Sequence, residues 1–473
     1  MIQLYDYQEQ YIAEIKKHFA NGKKRIILCS ATGSGKTVMF SYMTKQAFER
    51  NKRILILTDR KELFSQSSGA LVEMGLKCNE IKPNRKVDFS HSLYVGMIQT
   101  ITRRIKKVEY QELLKSLDLI ILDEAHKSIF DPIFEYISDK TFVIGATATP
   151  HREGKQQSLE KFYNEIVQVI DTPDLIIKEK LSPCKTYGVK VDLSGIKTKS
   201  GDYDEKSMAD KFSEIKLFHG VYDNYIRICK GKKAIVFAPN VESSRELVED
   251  WKESGLPIEH VDCYMSDLER NEIIEWFKNT DGAIISNYGI LTTGFDVPNI
   301  EVVILYRATK SLPLFLQMAG RGSRISKDKS EFILLDFGNN VKTHNYWEHP
   351  RQWSLKKKEK KQGTAPIKEC PSCSFLLHAP IMVCPECGHE FEKSEEEKEK
   401  QVFVELVLMS GIDIKKLAEK SSIKELIQIQ KAKGYQKSWI YHYLKTADDF
   451  KEYGKIMKYH YKWAAHQIQM RRL

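Results

Sequence analysis

The chain has 473 residues, 42% of them hydrophobic and 10% aromatic, enough for two or three globular cores, which excludes a disordered polymer. No apolar run approaches the roughly 18–20 residues of a membrane span. The start Met1-Ile2-Gln3-Leu4-Tyr5-Asp6 lacks the basic and apolar regions of a secretion signal, so a cytoplasmic protein with no membrane partner is expected. Of the formal charge of +10, residues 351–473 carry +8 (24 Lys and Arg against 16 Asp and Glu), a basic quarter suited to a polyanion or simply a solvated surface.

From residue 25 to 145, short β-branched runs alternate with helix-compatible stretches. Strands are expected at 25–29, 53–57, 93–95, 119–122 and 141–144, with helices at 36–50, 61–74 and 110–116. That alternation predicts a parallel α/β sheet with ligands at the carboxyl ends of its strands. A second series follows Gly231, with strands at 233–237, 258–261, 282–285, 302–305 and 332–335 and helices at 242–253 and 268–278. The polar stretch 192–210 reads as a connector, 356–361 as a basic hinge, and 392–400 as a solvated charged linker. Residues from 402 onward alternate helical patterns. The fold class expected is therefore α/β: two tandem parallel-sheet lobes at 1–185 and 231–350, joined by 186–230, then a cysteine module at 365–392 and a basic helical region at 401–473.

Ala31-Thr32-Gly33-Ser34-Gly35-Lys36-Thr37 lies between the first strand and the first long helix, the context of a phosphate-binding loop. Gly33 and Gly35 admit positive φ and close approach, with Ser34 between them. Lys36 is placed to neutralise β/γ-phosphate oxygens, and the Thr37 hydroxyl to ligate Mg²⁺. Ser30 stands where such loops usually begin with glycine. Asp123 and Glu124 follow the apolar run 119–122, where Asp123 can hold Mg²⁺ and Glu124 can polarise an attacking water. Arg321, between Gly320 and Gly322, and Arg324, one helical turn on, are suited to stabilising charge at the γ-phosphate from the second lobe.

Five of the nine cysteines (Cys29, Cys78, Cys184, Cys229 and Cys263) are scattered, as in a reducing compartment. Cys370, Cys373, Cys384 and Cys387 form two C-x2-C knuckles ten residues apart, which predicts a closed, structural Zn²⁺ site; a redox dithiol or unligated core cysteines are the other readings. Beyond them, 431–439 and 455–472 mix basic and aromatic residues. That mixture suits either phosphate contact with base stacking, or a bundle burying Trp439, Tyr443 and Trp463.

Taken in order, these motifs resemble the superfamily 2 helicases from residue 4 to about 340, particularly the RadD- and XPB-like branch and phage fork-remodelling DEAH-box helicases. The resemblance implies two RecA-like lobes, with ATP and Mg²⁺ bound by Gln8, Gly33, Ser34, Gly35, Lys36, Thr37, Asp123, Gly294 and Asp296. It implies that Gln8 reads adenine, and that His126, Thr147, Thr149 and Gln317 couple hydrolysis to movement, His126 communicating with Gln317. It further implies nucleic-acid contacts at Arg60, Gln99, Thr100, Thr292 and Thr293, and a zinc ribbon after the motor. The activity implied is an ATP-dependent DNA helicase or translocase acting on branched, forked or partly single-stranded DNA in replication, recombination or repair. An RNA helicase is a rival, as is an adaptor using ATP structurally. A restriction-enzyme motor subunit is a third; a start at residue 4 leaves no space for a preceding nuclease.

Overall fold

The computed structural model describes residues 3–83, 85–152, 157–188, 193, 195–199, 201–213, 215–292, 294–356, 367–369, 376–378, 383, 388–389, 407–408, 423, 426–427 and 440–457. Seven strands make the first sheet: β1 (Arg25–Cys29), β2 (Ile54–Thr58), β3 (Asn79–Ile81), β4 (Leu93–Met97), β5 (Leu119–Asp123), β6 (Phe142–Thr147) and β7 (Glu165–Val167). All pair in parallel, in the order β3-β4-β2-β5-β6-β1-β7. Both faces are covered, as the unbroken apolar runs 26–28, 54–57 and 119–122 require. Alternate residues sort to opposite faces. Ile26, Leu28, Ile56, Ile121 and Ile144 pack with Tyr11, Phe40 and Leu71. On the other face Ile27, Leu55, Leu57, Ile120 and Val143 pack with Ile101, Leu114 and Phe130. Each such fully buried branched side chain stabilises the fold by about 1.5–3 kcal/mol before entropy is counted.

The second sheet contains β8 (Cys184–Gly188), which sequence periodicity missed. A small antiparallel hairpin, β9 (Thr198–Lys199) and β10 (Asp202–Tyr203), interrupts the expected connector before the sheet resumes. It continues with β11 (Ala234–Phe237), β12 (Ile258–Val261), β13 (Ile284–Asn287), β14 (Val302–Leu305) and β15 (Phe332–Asp336), ordered β12-β13-β11-β14-β15-β8 and all parallel. The expected lobe boundary at residue 185 thus falls inside a strand of the second sheet. Asp202 ties the hairpin to this lobe, accepting from Thr309 Oγ1 and from the Lys310 amide at 2.6 Å each.

An antiparallel pair, β16 (Ile367–Glu369) and β17 (Leu376–His378), brackets the first cysteine pair. Cys370, Cys373, Cys384 and Cys387 themselves lie outside the described residues, as do Trp439 and Trp463. β18 (Val407–Leu408) adds antiparallel to β8, so this part of the region read as helical is strand. The helix Ala447–Ile456, with a Thr446–Asp449 capping box, does match the helical reading. It packs Phe450 and Tyr453 on Ile423, Leu426, Ile440 and Leu444, with Tyr443 and Ile177 against the cluster. Among the described residues, no helix is long and apolar enough to cross a membrane.

Between β7 and residue 355 the chain passes between the sheets twice. The first passage runs from β7 through the helix Thr172–Ile177 to β8. The second returns after the helix Asn340–His344: Gln168 Nε2 donates to the Arg351 carbonyl at 3.3 Å, and Ser158 Oγ to that of Leu355 at 2.7 Å. Arg351 holds this returning strap together, its guanidinium donating to the carbonyls of His344, Tyr346, Trp347 and His349.

Candidate functional site

The loop 30–35 leaves β1 and enters the helix Lys36–Phe48 with Gly33 at φ 84° and Gly35 at φ 82°, a left-handed conformation that costs glycine little. A Cβ at Gly35 would overlap the Gln8 amide. Gln8 reaches the loop because Tyr5 and Gln8 cap the first helix: Gln8 Oε1 accepts from the Tyr5 amide at 3.0 Å, while Nε2 donates to the Ser34 carbonyl at 3.2 Å. Tyr7 Oη donates to the same carbonyl at 2.9 Å. Ser30, in the place of the usual glycine, lies 2.7 Å from Ser34 Oγ, which in turn donates to the Ala31 carbonyl at 2.7 Å. Lys36 folds back over the loop, its Nζ donating to the carbonyls of Ser30 and Ala31 at 3.1 Å each. Burial lowers its pKa, opposed by the charges of Glu124 and Asp123. Thr37 follows Lys36 in the first turn of the helix.

Asp123 ends β5, and Glu124 follows at φ 57°, a turn stabilised by the Glu124 amide donating to Asp123 Oδ1 at 3.0 Å. Burial pushes the Asp123 carboxyl up to about 7; Glu124 adds to the shift and Lys36 opposes it. Glu124 is also pushed up by burial, but His126, Lys36, Lys127 and Arg321 together bring it below the usual carboxylate value. Burial holds His126 down at about 4 despite Glu124, so its ring is neutral at pH 7. The cations that keep Glu124 ionised there are consequently the lysines and Arg321. Glu124 Oε2 is buried and accepts no hydrogen bond among the described residues, lying 3.4 Å from His126 Nδ1. An orphaned carboxylate oxygen of this kind can take a proton from a water.

His126 Nδ1 sits 2.8 Å from Thr147 Oγ1, and Thr147 Oγ1 accepts from the Thr149 amide at 3.1 Å. Among the described residues His126 makes no hydrogen bond to Gln317, the partner that the resemblance assigns it. Arg152, which the sequence reading passed over, locks this corner. It donates to the His126 and Lys127 carbonyls and pairs with Asp131 at 2.7 Å. No local pattern marks Arg152; only its burial does.

The second lobe closes over the loop. Gln317 lies on the helix Leu312–Ala319, and Gly320 follows it so closely on Thr32 that a Cβ there would stand 2.9 Å from Thr32 Cβ. A Cβ at Gly33 would lie 3.3 Å from Ser323 Oγ and 3.6 Å from Arg324 Cγ. Arg321 and Arg324 both donate to the Phe295 carbonyl, at 2.6 and 3.0 Å, and Arg324 Nε pairs with Asp296 at 2.9 Å. Burial, then the Arg324 charge, lowers Arg321 to about 9, and burial lowers Arg324. Lys329 was also missed by sequence reading. Its Nζ donates to the carbonyls of Pro298, Ile300 and Gly322, joining the 294–300 loop to the arginine segment.

Of the residues expected to touch nucleic acid, Arg60 sits where the two lobes meet. Arg60 donates to the Gly289 and Ile290 carbonyls across the lobes at 3.4 and 3.2 Å. Gly294, at φ 73°, abuts Glu62: a Cβ would stand 2.7 Å from its Cβ. Lys61–Asp267 and Glu62–Arg270 pair across the cleft at 2.9 and 3.6 Å. Gln99 Nε2 donates to the Asp59 carbonyl at 2.7 Å; Thr100 and Thr292 are buried. Thr293 lies outside the described residues. In this arrangement Arg60 Nη1 and Gln99 Nε2 are engaged by protein, while Gln99 Oε1 is buried without a hydrogen-bond partner among the described residues.

Two family models match in the order of the two sheets: the type III restriction enzyme res subunit over residues 1–152 and the helicase conserved C-terminal domain over 219–326. A 51.5 kDa protein of a Lactococcus phage (isolate 7-9) is 30% identical over 418 residues, covering 85% of this chain and 88% of that protein. A Saccharomyces cerevisiae protein named as an ATP-dependent helicase, IRC3, is 30% identical over 364 residues; the match covers 71% of this chain but 51% of the yeast protein. The DNA-bound structure of the ATP-dependent Type ISP restriction-modification enzyme LlaBIII aligns with a TM-score of 0.55 at 19% identity, covering 71% of this chain and 28% of that one, and shows the fold. The chain thus spans about half of the yeast relative and most of the phage one. With both motor lobes matched in sequence order, the chain belongs to the superfamily 2 helicases, a family of ATP-hydrolysing enzymes.

Proposed function

We propose that the protein is an ATP-driven DNA helicase or translocase that remodels branched or forked duplexes. The observation that carries this is the apposition of the phosphate-loop and arginine segments, with Gly33 against Ser323 and Arg324 and Gly320 against Thr32. Charge on a nucleotide at the loop would lie between two lobes, and its loss would alter how they hold together. Lys36 and the 33–35 backbone bind phosphate, Gln8 orients the base, and Glu124 takes the proton of the attacking water. Thr37 and Asp123 would hold Mg²⁺, which supplies charge neutralisation at the phosphates when bound. Arg321 and Arg324 leave Phe295 and Asp296 to meet the γ-phosphate, with Gly294 and Asp296 closing the nucleotide side. His126, Thr147, Thr149 and Gln317 relay that change to Arg60, Gln99, Thr100, Thr292 and Thr293, which hold the DNA backbone.

The motor lobes correspond to residues from 1 to before Cys184 and from β8 to 350. The spacing of Cys370, Cys373, Cys384 and Cys387 supports a structural Zn²⁺ ribbon at 365–392, and the basic 401–473 region supports a role in choosing the substrate. The DNA in the LlaBIII complex and the restriction-type family model favour DNA over RNA. The test is ATPase stimulation and unwinding on single-stranded DNA, blunt duplex, forks, four-way junctions and RNA, with Lys36→Ala as the inactive control. A protein whose turnover no nucleic acid stimulates, and in which Glu124→Gln changes nothing, is not this motor.

A further inference from the structure

A second basic surface lies on the flank of the first lobe, away from the basic C-terminal region. The helix Ile98–Arg104 carries Gln99 and Thr100 in its first turn and ends at Arg103 and Arg104. Lys106 and Lys107 follow after the buried Ile105. Arg104 fastens this turn to the loop after β3: its guanidinium donates to the carbonyls of Lys82 and Pro83 and, at 2.8 Å, to Tyr110 Oη. Phe89 meets Tyr110 edge-on, with ring centroids 5.2 Å apart, pinning the loop's far end to the same place. Arg85 and Lys86 lie between these two ties, on the loop so fastened to the turn that carries Arg103, Lys106 and Lys107.

All five of these cations are exposed, and none forms an ion pair among the described residues. The nearest carboxylates on the loop are occupied: Glu80 pairs with Lys82, and Asp88 sits 3.3 Å from His91. Glu109 lies in the first turn of the helix Val108–Ser116, where it complements the helix dipole. Five unpaired cations on a tied-down surface repel one another. Such a cluster is relieved by a dense polyanion, and duplex DNA offers a charge about every 1.7 Å of its axis. At about 1.5 Å per residue, the seven-residue helix carries the contact line roughly 10 Å from the cleft, about three base pairs of duplex.

We propose that Arg85, Lys86, Arg103, Lys106 and Lys107 form a duplex-arm site, which binds the phosphodiester backbone of the double-stranded DNA that leaves the motor cleft beside Gln99 and Thr100. It rests on the motor reading for the position of the cleft and adds to it a surface that no motif in the sequence marks. The contact is with phosphates, so it gives affinity and orientation without sequence choice.

The test compares wild type with Arg103→Glu/Lys106→Glu/Lys107→Glu and Arg85→Glu/Lys86→Glu, all in the full chain. Fluorescence anisotropy gives Kd for a fork with a duplex arm of about 20 base pairs and for a single strand of about eight nucleotides, between about 50 and 200 mM salt. The triple variant is expected to weaken fork binding by at least about tenfold and to flatten the log K against log salt slope by about 2 to 3. Single-strand affinity and unstimulated ATPase should stay at wild-type values, with unchanged thermal melting as the folding control. Fork affinity and slope equal to wild type would overturn the site. So would an equal loss on the short strand, or a greater dependence on an acidic polypeptide or duplex RNA competitor than on duplex DNA. Wild type that binds the duplex arm through these residues, yet is stimulated by no nucleic acid, upholds the site and removes the motor reading instead.

Discussion

Replacing Lys329 by methionine should disconnect the arginine segment from the loop that faces it. The ammonium donates to Pro298, Ile300 and Gly322 carbonyls at 2.8, 3.1 and 2.9 Å, and Gly322 lies between Arg321 and Arg324. Losing three such bonds and leaving their acceptors buried costs about 3–6 kcal/mol. Against that, burial has lowered this lysine from 10.5 to about 8, so removing the charge relieves about 3 kcal/mol of desolvation. The net expectation is a modest loss of stability, at most about 3 kcal/mol by urea unfolding, beside a larger fall in ATPase kcat than in apparent ATP affinity. The pH profile discriminates further. Below about pH 8 both folded and unfolded chains keep this proton. Between about 8 and 10.5 only the unfolded chain does, so the penalty of the buried charge fades as pH rises. Over the same range the neutral amine has too few donors for three carbonyls, so wild-type kcat should decline above about pH 8, and Lys329→Met should lack that limb. A Lys329→Met enzyme with wild-type kcat and an intact alkaline limb would refute the reasoning.

Gly320→Ala places a methyl group 2.9 Å from Thr32 Cβ across the lobes; overpacking of about 1–3 kcal/mol should part them, read as a raised KM for ATP with little change in melting. An unchanged KM would mean that the lobes do not meet there during turnover. His126, held from 6.5 down to about 4 by burial, stays unprotonated as pH falls while the unfolded chain takes up a proton. Stability should therefore drop by about 3 kcal/mol between pH 6.5 and 4, and His126→Ala should remove most of that slope. Purified protein should carry about one zinc per chain, lost with Cys373→Ser; metal analysis showing none in wild type would leave the knuckles as thiols.

Much of the fold could be read from the chain because parallel sheets buried on both faces need uninterrupted apolar runs. The runs 25–29, 258–261 and 302–305 are strands with those limits. β8 escaped because Cys-Lys-Thr-Tyr-Gly looks polar; it sits between β15 and β18, with every second residue buried. β3 and β7 have three residues each, too few for a period to emerge. At the site, Lys36 opens the helix after β1 and Asp123 and Glu124 close β5, places that strand and helix patterns mark. Arg321 and Arg324 stand out in sequence by their glycine frame, but they lie past the end of the helix Leu312–Ala319 and not one helical turn apart on it. Lys329 and Arg152 were not legible, because they act largely through carbonyls of distant segments, and Arg351 was not, because it gathers the carbonyls of an irregular strap; in sequence each reads as another surface charge. Nor does sequence give the resting partners of the two arginines: Phe295 contributes only its carbonyl, which any residue could supply.

The two passages of the chain between the sheets bear on what kind of joint this is. Bodies connected at one point can swivel in every direction, whereas bodies pinned at two can turn only about the line through the pins. With residues 168–183 as one tie and the strap held at Gln168 and Ser158 as another, the connections favour a door over a ball-and-socket. Any stroke drawn from ATP is then steered by backbone connectivity as well as by the nucleotide, which sets how far the door stands open.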